Sequence, residues 1–107
     1  MNLYSEENEV YVEQTAVTAG KTVFGYAEVK NNGKTSKDAT LVMAIYKNNV
    51  LERLEPMYVP IEAGTTKTLK TADFTFPENT EGYSVSVMLI DTLGNIKPLT
   101  KSVDIGK

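Results

Sequence analysis

Ser84 and Ser86, two residues apart, and Glu52 and Glu55, three apart, are the spacings in this chain that first suggest chemistry. A serine nucleophile needs a base to take its proton. The 107 residues contain no histidine and no cysteine, so nothing of that kind is available. A carboxylate pair for glycosidic cleavage must face across a cleft. Glu52 and Glu55 would sit on opposite faces of a strand, because side chains alternate. The same two absences remove the commonest zinc ligand, thiolate metal sites, redox motifs and disulfides. Carboxylates, lysines, hydroxyls and amides remain, and catalysis is not expected.

Calcium favours several oxygens held together. Glu6, Glu7 and Glu9 with Asn8 form one such cluster, and Asp91 with Asn95 another. Neither follows the Asp-x-Asp-x-Asp-Gly loop pattern. The first reads as a mobile acidic linker and the second as a turn capping its own backbone. No metal and no cofactor is expected. The aromatic residues are the better lead for binding. Phe24 and Tyr26 alternate along one strand, and Tyr11 falls on a neighbouring one; rings of this kind stack on sugars. That reading needs Val23, Gly25, Ala27 and Val29 to face the core. Gly25 leaves a hole in such a row, and with the faces exchanged Phe24 and Tyr26 are simply core.

The elements that would position these residues are strands. Tyr83, Val85, Val87 and Leu89 alternate, a turn follows at Asp91 to Asn95, and a second extended run passes through Leu99, Val103 and Ile105. Breakers recur at Ala19-Gly20, Asn31-Asn32-Gly33, Asn48-Asn49, Ala63-Gly64, Pro77 to Gly82 and Gly94-Asn95. The intervals suit strands and are too short for helices. They predict strands over Glu9 to Val17, Lys21 to Lys30, Thr40 to Lys47, Val50 to Tyr58 and Thr65 to Phe76, plus the last hairpin. Thr40 to Lys47 is apolar on both faces, as a central strand covered on both sides would be. Pro56 and Pro60 put Val50 to Tyr58 at an edge. About seven strands of this length predict an all-β Greek-key β-sandwich in two sheets. Residues 1–8 are expected to be a flexible acidic segment and 9–107 one domain. Tyr83, directly after Pro77 to Gly82, has the position of a tyrosine corner, whose hydroxyl reaches back to the preceding loop's backbone.

The net charge of −3 and the scatter of eleven Lys and Arg residues argue against nucleic acid. Lys30, Lys34 and Lys37 are the densest group and fall in a Gly- and Asn-rich turn. No apolar run approaches the roughly 20 residues that span a bilayer, so no membrane insertion is expected. Met1 to Glu9 lacks the basic-then-apolar order of a signal peptide.

Three stretches carry a resemblance. They are Ala19 to Val23 with Ala27 to Gly33, then Ala39 to Tyr46, then Tyr83 to Leu99. Together they are similar to the bacterial immunoglobulin-like (fibronectin-III-like) accessory modules repeated in large exported proteins of Gram-positive bacteria, many of which act on glycans or sit in the cell envelope. The resemblance implies a non-catalytic spacer or binding module, extracellular or in the cell wall, with neighbouring domains of its parent as partners. Those modules often have an aromatic residue just before the Asp of the last hairpin. Ile90 stands there in this chain, which keeps the bulk and removes a stacking ring. Polysaccharide binding through Phe24, Tyr26 or Tyr11 is the alternative, and protein docking at the Val50 to Tyr58 edge is a third.

Overall fold

The computed structural model describes residues 1–106, and the expected domain end at Lys107 lies outside the described residues. Nine strands are formed among them: β1 Asn2–Glu7, β2 Val10–Glu13, β3 Thr22–Lys30, β4 Lys37–Lys47, β5 Val50–Ile61, β6 Thr66–Lys70, β7 Phe74–Thr75, β8 Tyr83–Ile90 and β9 Val103–Ile105. One sheet has the order β2-β1-β3-β6, with β7 also on β3; the other has the order β5-β4-β8-β9. Every pairing is antiparallel. The chain crosses between sheets after β3, after β5 and after β7, so sequence neighbours are often not sheet neighbours. This is the immunoglobulin-like Greek-key sandwich.

Period-two patterning decides which row meets which. Val23 and Ala27 of β3, Leu3 of β1 and Leu69 of β6 face Leu41, Met43 and Ile45 of β4 and Val85, Val87 and Leu89 of β8. The hole anticipated at Gly25 is closed by its surroundings. A Cβ there would lie 3.2 Å from Thr71 Cγ2 and 3.4 Å from Val87 Cγ1. Thr71 also carries the ladder across this point. Its backbone N–H donates to the Gly25 carbonyl at 2.9 Å, and its Oγ1 accepts from the Gly25 N–H at 2.8 Å. The run expected as one strand from Thr65 to Phe76 is therefore split. β6 ends at Lys70, Thr71 stays bonded to Gly25, residues 72 and 73 lie outside the ladder, and β7 resumes on Thr22 and Val23.

The amino terminus departs most from expectation. Residues 1–8 are not a flexible tail: β1 is paired on both sides, with β2 and with β3. Leu3 is fully buried and Ser5 nearly so. Asn8 and Glu9 have φ of 53° and 66°, the left-handed pair of a two-residue type I′ hairpin turn. Asn48 and Asn49, at 52° and 66°, make the same turn between β4 and β5. The strand expected from Glu9 to Val17 is correspondingly short, Val10–Glu13, although Val17 still packs on the core.

β4 is central and buried on both faces, but among the described residues no third layer covers its outer row. Thr40, Val42 and Ala44 lie in register between Tyr58 and Ile90, Pro56 and Met88, and Leu54 and Ser86. Small side chains between larger ones are buried by their neighbours. The corner expected at Tyr83 is not formed either. The ring closes one end of the core, edge-on to Phe76 at 6.1 Å with Lys47 at 5.5 Å. Hydrogen bonding to Glu52, followed by burial, raises the pKa of its hydroxyl.

Candidate functional site

β3 presents Val23, Ala27 and Val29 inward, which leaves Phe24 and Tyr26 on the outer face as the first of the two face assignments required. Register adds two rings: Tyr4 lies opposite Phe24, and Tyr11 follows from the β1–β2 pairing beside Glu6. The four form one cluster. Tyr11 is 4.9 Å from Phe24 and 5.3 Å from Tyr26, both edge-on; Tyr4 is 5.8 Å from Tyr26, also edge-on, and 6.4 Å from Phe24. Lys70, opposite Tyr26 on β6, lays its ammonium 4.4 Å from the Phe24 centroid and 5.9 Å from that of Tyr11.

The three expected binding residues therefore do converge, with different roles. Tyr11 is 41% exposed, Tyr26 is half-buried, and Phe24 is 2% exposed. Phe24 is not the open stacking surface foreseen for it, because Tyr11, Tyr4 and Lys70 cover it. Edge-to-face packing satisfies the ring quadrupoles among themselves, and leaves a faceted cluster rather than a flat platform. The parity of Tyr4 with Phe24 becomes visible only once residues 2–7 are recognised as a strand.

Phe24 has no register partner across the break between β6 and β7. A cavity of about 230 Å³ opens there, with Phe24 among its lining and Glu6, Thr22, Lys70 and Asp73 beside it. Lys70 and Asp73 are 3.9 Å apart. Irregular ladders commonly shape sites in this way. The arrangement offers carboxylate acceptors, an ammonium donor and a ring wall to a small polar ligand.

The remaining candidates are occupied structurally. Ser86 donates to Asp104 at 2.5 Å on the outer face of the second sheet, and Ser84 beside it is buried. Glu55 pairs with Arg53 at 2.8 Å. Glu52 raises the Tyr83 pKa by hydrogen bonding and so is directed elsewhere. Asp91 accepts at Oδ2 from Asn95 Nδ2, and at Oδ1 from the backbone N–H of Lys97 at 2.8 Å and of Thr92 at 2.6 Å. These bonds hold its carboxyl below the usual range, the Asn95 bond contributing most. That is the capping turn expected from the sequence. A second cavity, about 330 Å³, lies at the end of the sandwich beside Asn31, Lys37, Ile61 and Leu99. Among the described residues no group of three or more acidic, His or Cys side chains could hold a metal ion. No helix among them is long and apolar enough to cross a membrane.

No protein-family model matches this chain, and no curated protein matches it by sequence. Solved structures do. Bacteroides uniformis β-glucuronidase superposes with a TM-score of 0.58 at 19% identity, over 96% of this chain and 12% of that one. A calcium-binding mutant of β-glucuronidase 2 from the same organism gives 0.54 at 22% identity, over 82% and 11%. The same enzyme covalently bound to cyclophellitol-6-carboxylate aziridine gives 0.58 at 19%, over 96% and 12%. At such identities the likeness is one of fold, and this chain spans about 12% of the length of those it matches. It has the fold of a β-sandwich segment of a far larger glycosidase chain.

Proposed function

We propose that this chain is a non-catalytic structural module of a larger exported bacterial protein, where it spaces and orients neighbouring domains. The observation that carries the reading is coverage: 96% of this chain corresponds to 12% of a multidomain-sized glycosidase. The aromatic cluster supports it, since its rings are engaged with one another and with Lys70. Ser86, Glu55 and Asp91, among the polar residues that could have been reactive, are engaged with partners inside the fold. The sequence resemblance implies a location outside the cell or in the cell wall, in a Gram-positive parent of a kind that often acts on glycans or sits in the envelope.

Replacing the module in its parent with a Gly/Ser linker of equal span tests the reading. Small-angle scattering should then show a broader distribution of interdomain distances, and the adjoining domain should melt at lower temperature. An unchanged scattering profile together with an unchanged melting temperature would refute it.

A second reading is favoured by one observation, the half-open Tyr11 ring beside the carboxylate-lined cavity at Phe24. On this reading the face binds polysaccharide, Tyr11 and Tyr26 supplying ring contacts and Glu6 and Asp73 accepting hydroxyls. Affinity electrophoresis against a polysaccharide panel decides it. Retardation lost in Tyr11→Ala supports binding, and no retardation on any polysaccharide removes it.

A further inference from the structure

Two of the sheet edges differ in a way that register makes plain. In an antiparallel ladder, backbone N–H and C=O groups point alternately toward the neighbour and away from it. Among the described residues β5 pairs with β4 alone, and its prolines fit only where the nitrogen points away. Positions 54, 56, 58 and 60 share that parity, so Pro56 and Pro60 delete two of four outward donors. This edge is closed to a partner strand, and the docking role expected for Val50 to Tyr58 is not supported.

The free edge of β2 is the opposite case. The Gln14 N–H donates to the Leu3 carbonyl at 2.8 Å. Counting back, Val12 and Val10 bond toward β1, while the N–H and C=O of Tyr11 and Glu13 point outward. There is no proline in Val10–Glu13, and all four residues are exposed. Val10 is 60% exposed and Val12 37%, on the opposite face from Tyr11 and Glu13. The hairpin also concentrates negative charge in Glu6, Glu7, Glu9 and Glu13, of which Glu7 is paired with Lys21 at 2.6 Å and Glu13 accepts from Asn2 Nδ2. β9 offers three residues only, and β6 carries Lys67 and Lys70, which guard an edge.

The geometry points to β2 as a docking edge for an extended segment of another polypeptide in which apolar and basic residues alternate. Strand addition supplies the main-chain bonds. The partner's basic row lies beside Tyr11 and Glu13, and its apolar row beside Val10 and Val12. A second copy of this chain fits poorly, because it would bring two sets of hairpin carboxylates together. The inference stands independently of the module reading.

The probe is the peptide acetyl-Val-Lys-Val-Lys-Val-Lys-amide, titrated into the isotopically labelled full chain and followed by backbone amide shifts and amide exchange. The expected result is a shift and slowed exchange at Tyr11 and Glu13. The peptide with Glu in place of Lys should bind at least tenfold more weakly. Glu13→Pro, which removes an outward donor at an edge position, should weaken binding at least tenfold. Glu13→Lys keeps the donor and should weaken it as well, which preserves the test if the proline variant disorders the hairpin. Shifts confined to other strands, equal binding of the acidic peptide, or no binding at millimolar peptide would overturn the inference. So would a concentration-dependent dimer of the chain alone with the same amides protected.

Discussion

Glu9 is the residue where local chemistry and fold disagree most openly. It holds φ at 66° in the first hairpin turn, a region that costs an ordinary L-residue about 1–2 kcal/mol and glycine almost nothing. Glu9→Gly should therefore raise stability by up to about 1 kcal/mol after glycine's greater unfolded-state entropy is counted, read as a higher denaturant midpoint with an unchanged slope. Asn31 is the opposite case. Its side chain donates to the carbonyls of Thr35 and Ile61 at 2.8 and 2.9 Å and accepts from the Gly33 N–H at 2.9 Å. Asn31→Ala leaves those carbonyls without that donor at a buried site and should cost about 2–3 kcal/mol; Asn31→Asp should fare no better, since a carboxylate cannot donate. The sequence marks Asn31 as part of a turn, which it is. That its amide ties β3 to the end of β5 depends on a residue thirty positions away, and no local pattern carries such information.

At the scale of elements, strands with one clean apolar row were legible. β3, β4 and β8 fall close to where alternation puts them. β1 was hidden because its inward row is Leu3 and Ser5, one apolar and one polar, ahead of a run of acids that resembles a solvated linker. Its turn, Asn8-Glu9, lacks the glycine that usually announces a type I′ hairpin. The burial of Phe24 was hidden for a different reason: Lys70 belongs to a strand more than forty residues on, and its stem and ammonium cover the ring. The prolines of β5 mark it from the sequence as the edge strand that it is. Replacing both, Pro56→Thr with Pro60→Thr, restores two outward donors on a twelve-residue strand. The double variant should self-associate with rising concentration in sedimentation, whereas the native chain should not through this edge; an edge that remained monomeric would show that the prolines are not its guard.

For the whole molecule, the fold was legible because a two-sheet sandwich is the natural closure for short, evenly punctuated strands. The candidate site was legible only in part, since it exists by the meeting of β1, β2, β3 and β6. Stability as a function of pH gathers contributions from both ends of the sandwich. Asp91 has a lowered pKa, chiefly through Asn95, so its contribution is present above its unfolded pKa and is lost as pH falls through the folded value. Tyr83 and Tyr58 have raised pKa values through Glu52 and Asp38. Their contributions are present below their unfolded pKa and are lost as pH rises through the folded one. The melting temperature should be nearly flat between about pH 5 and 9 and fall on either side. Asp91→Asn should flatten the acid limb, and Tyr83→Phe with Tyr58→Phe the alkaline limb. The pairing of β1 has a mechanical consequence as well. β1 reaches β3 through only three register pairs, Asn2 with Tyr26, Leu3 with Gly25 and Tyr4 with Phe24, and β9 reaches β8 through three as well, while β4 is held by far longer ladders to β5 and β8. Tension entering from either end loads a short ladder first. The terminal strands are then fuses, giving slack to a stretched chain before the centre of the sandwich yields.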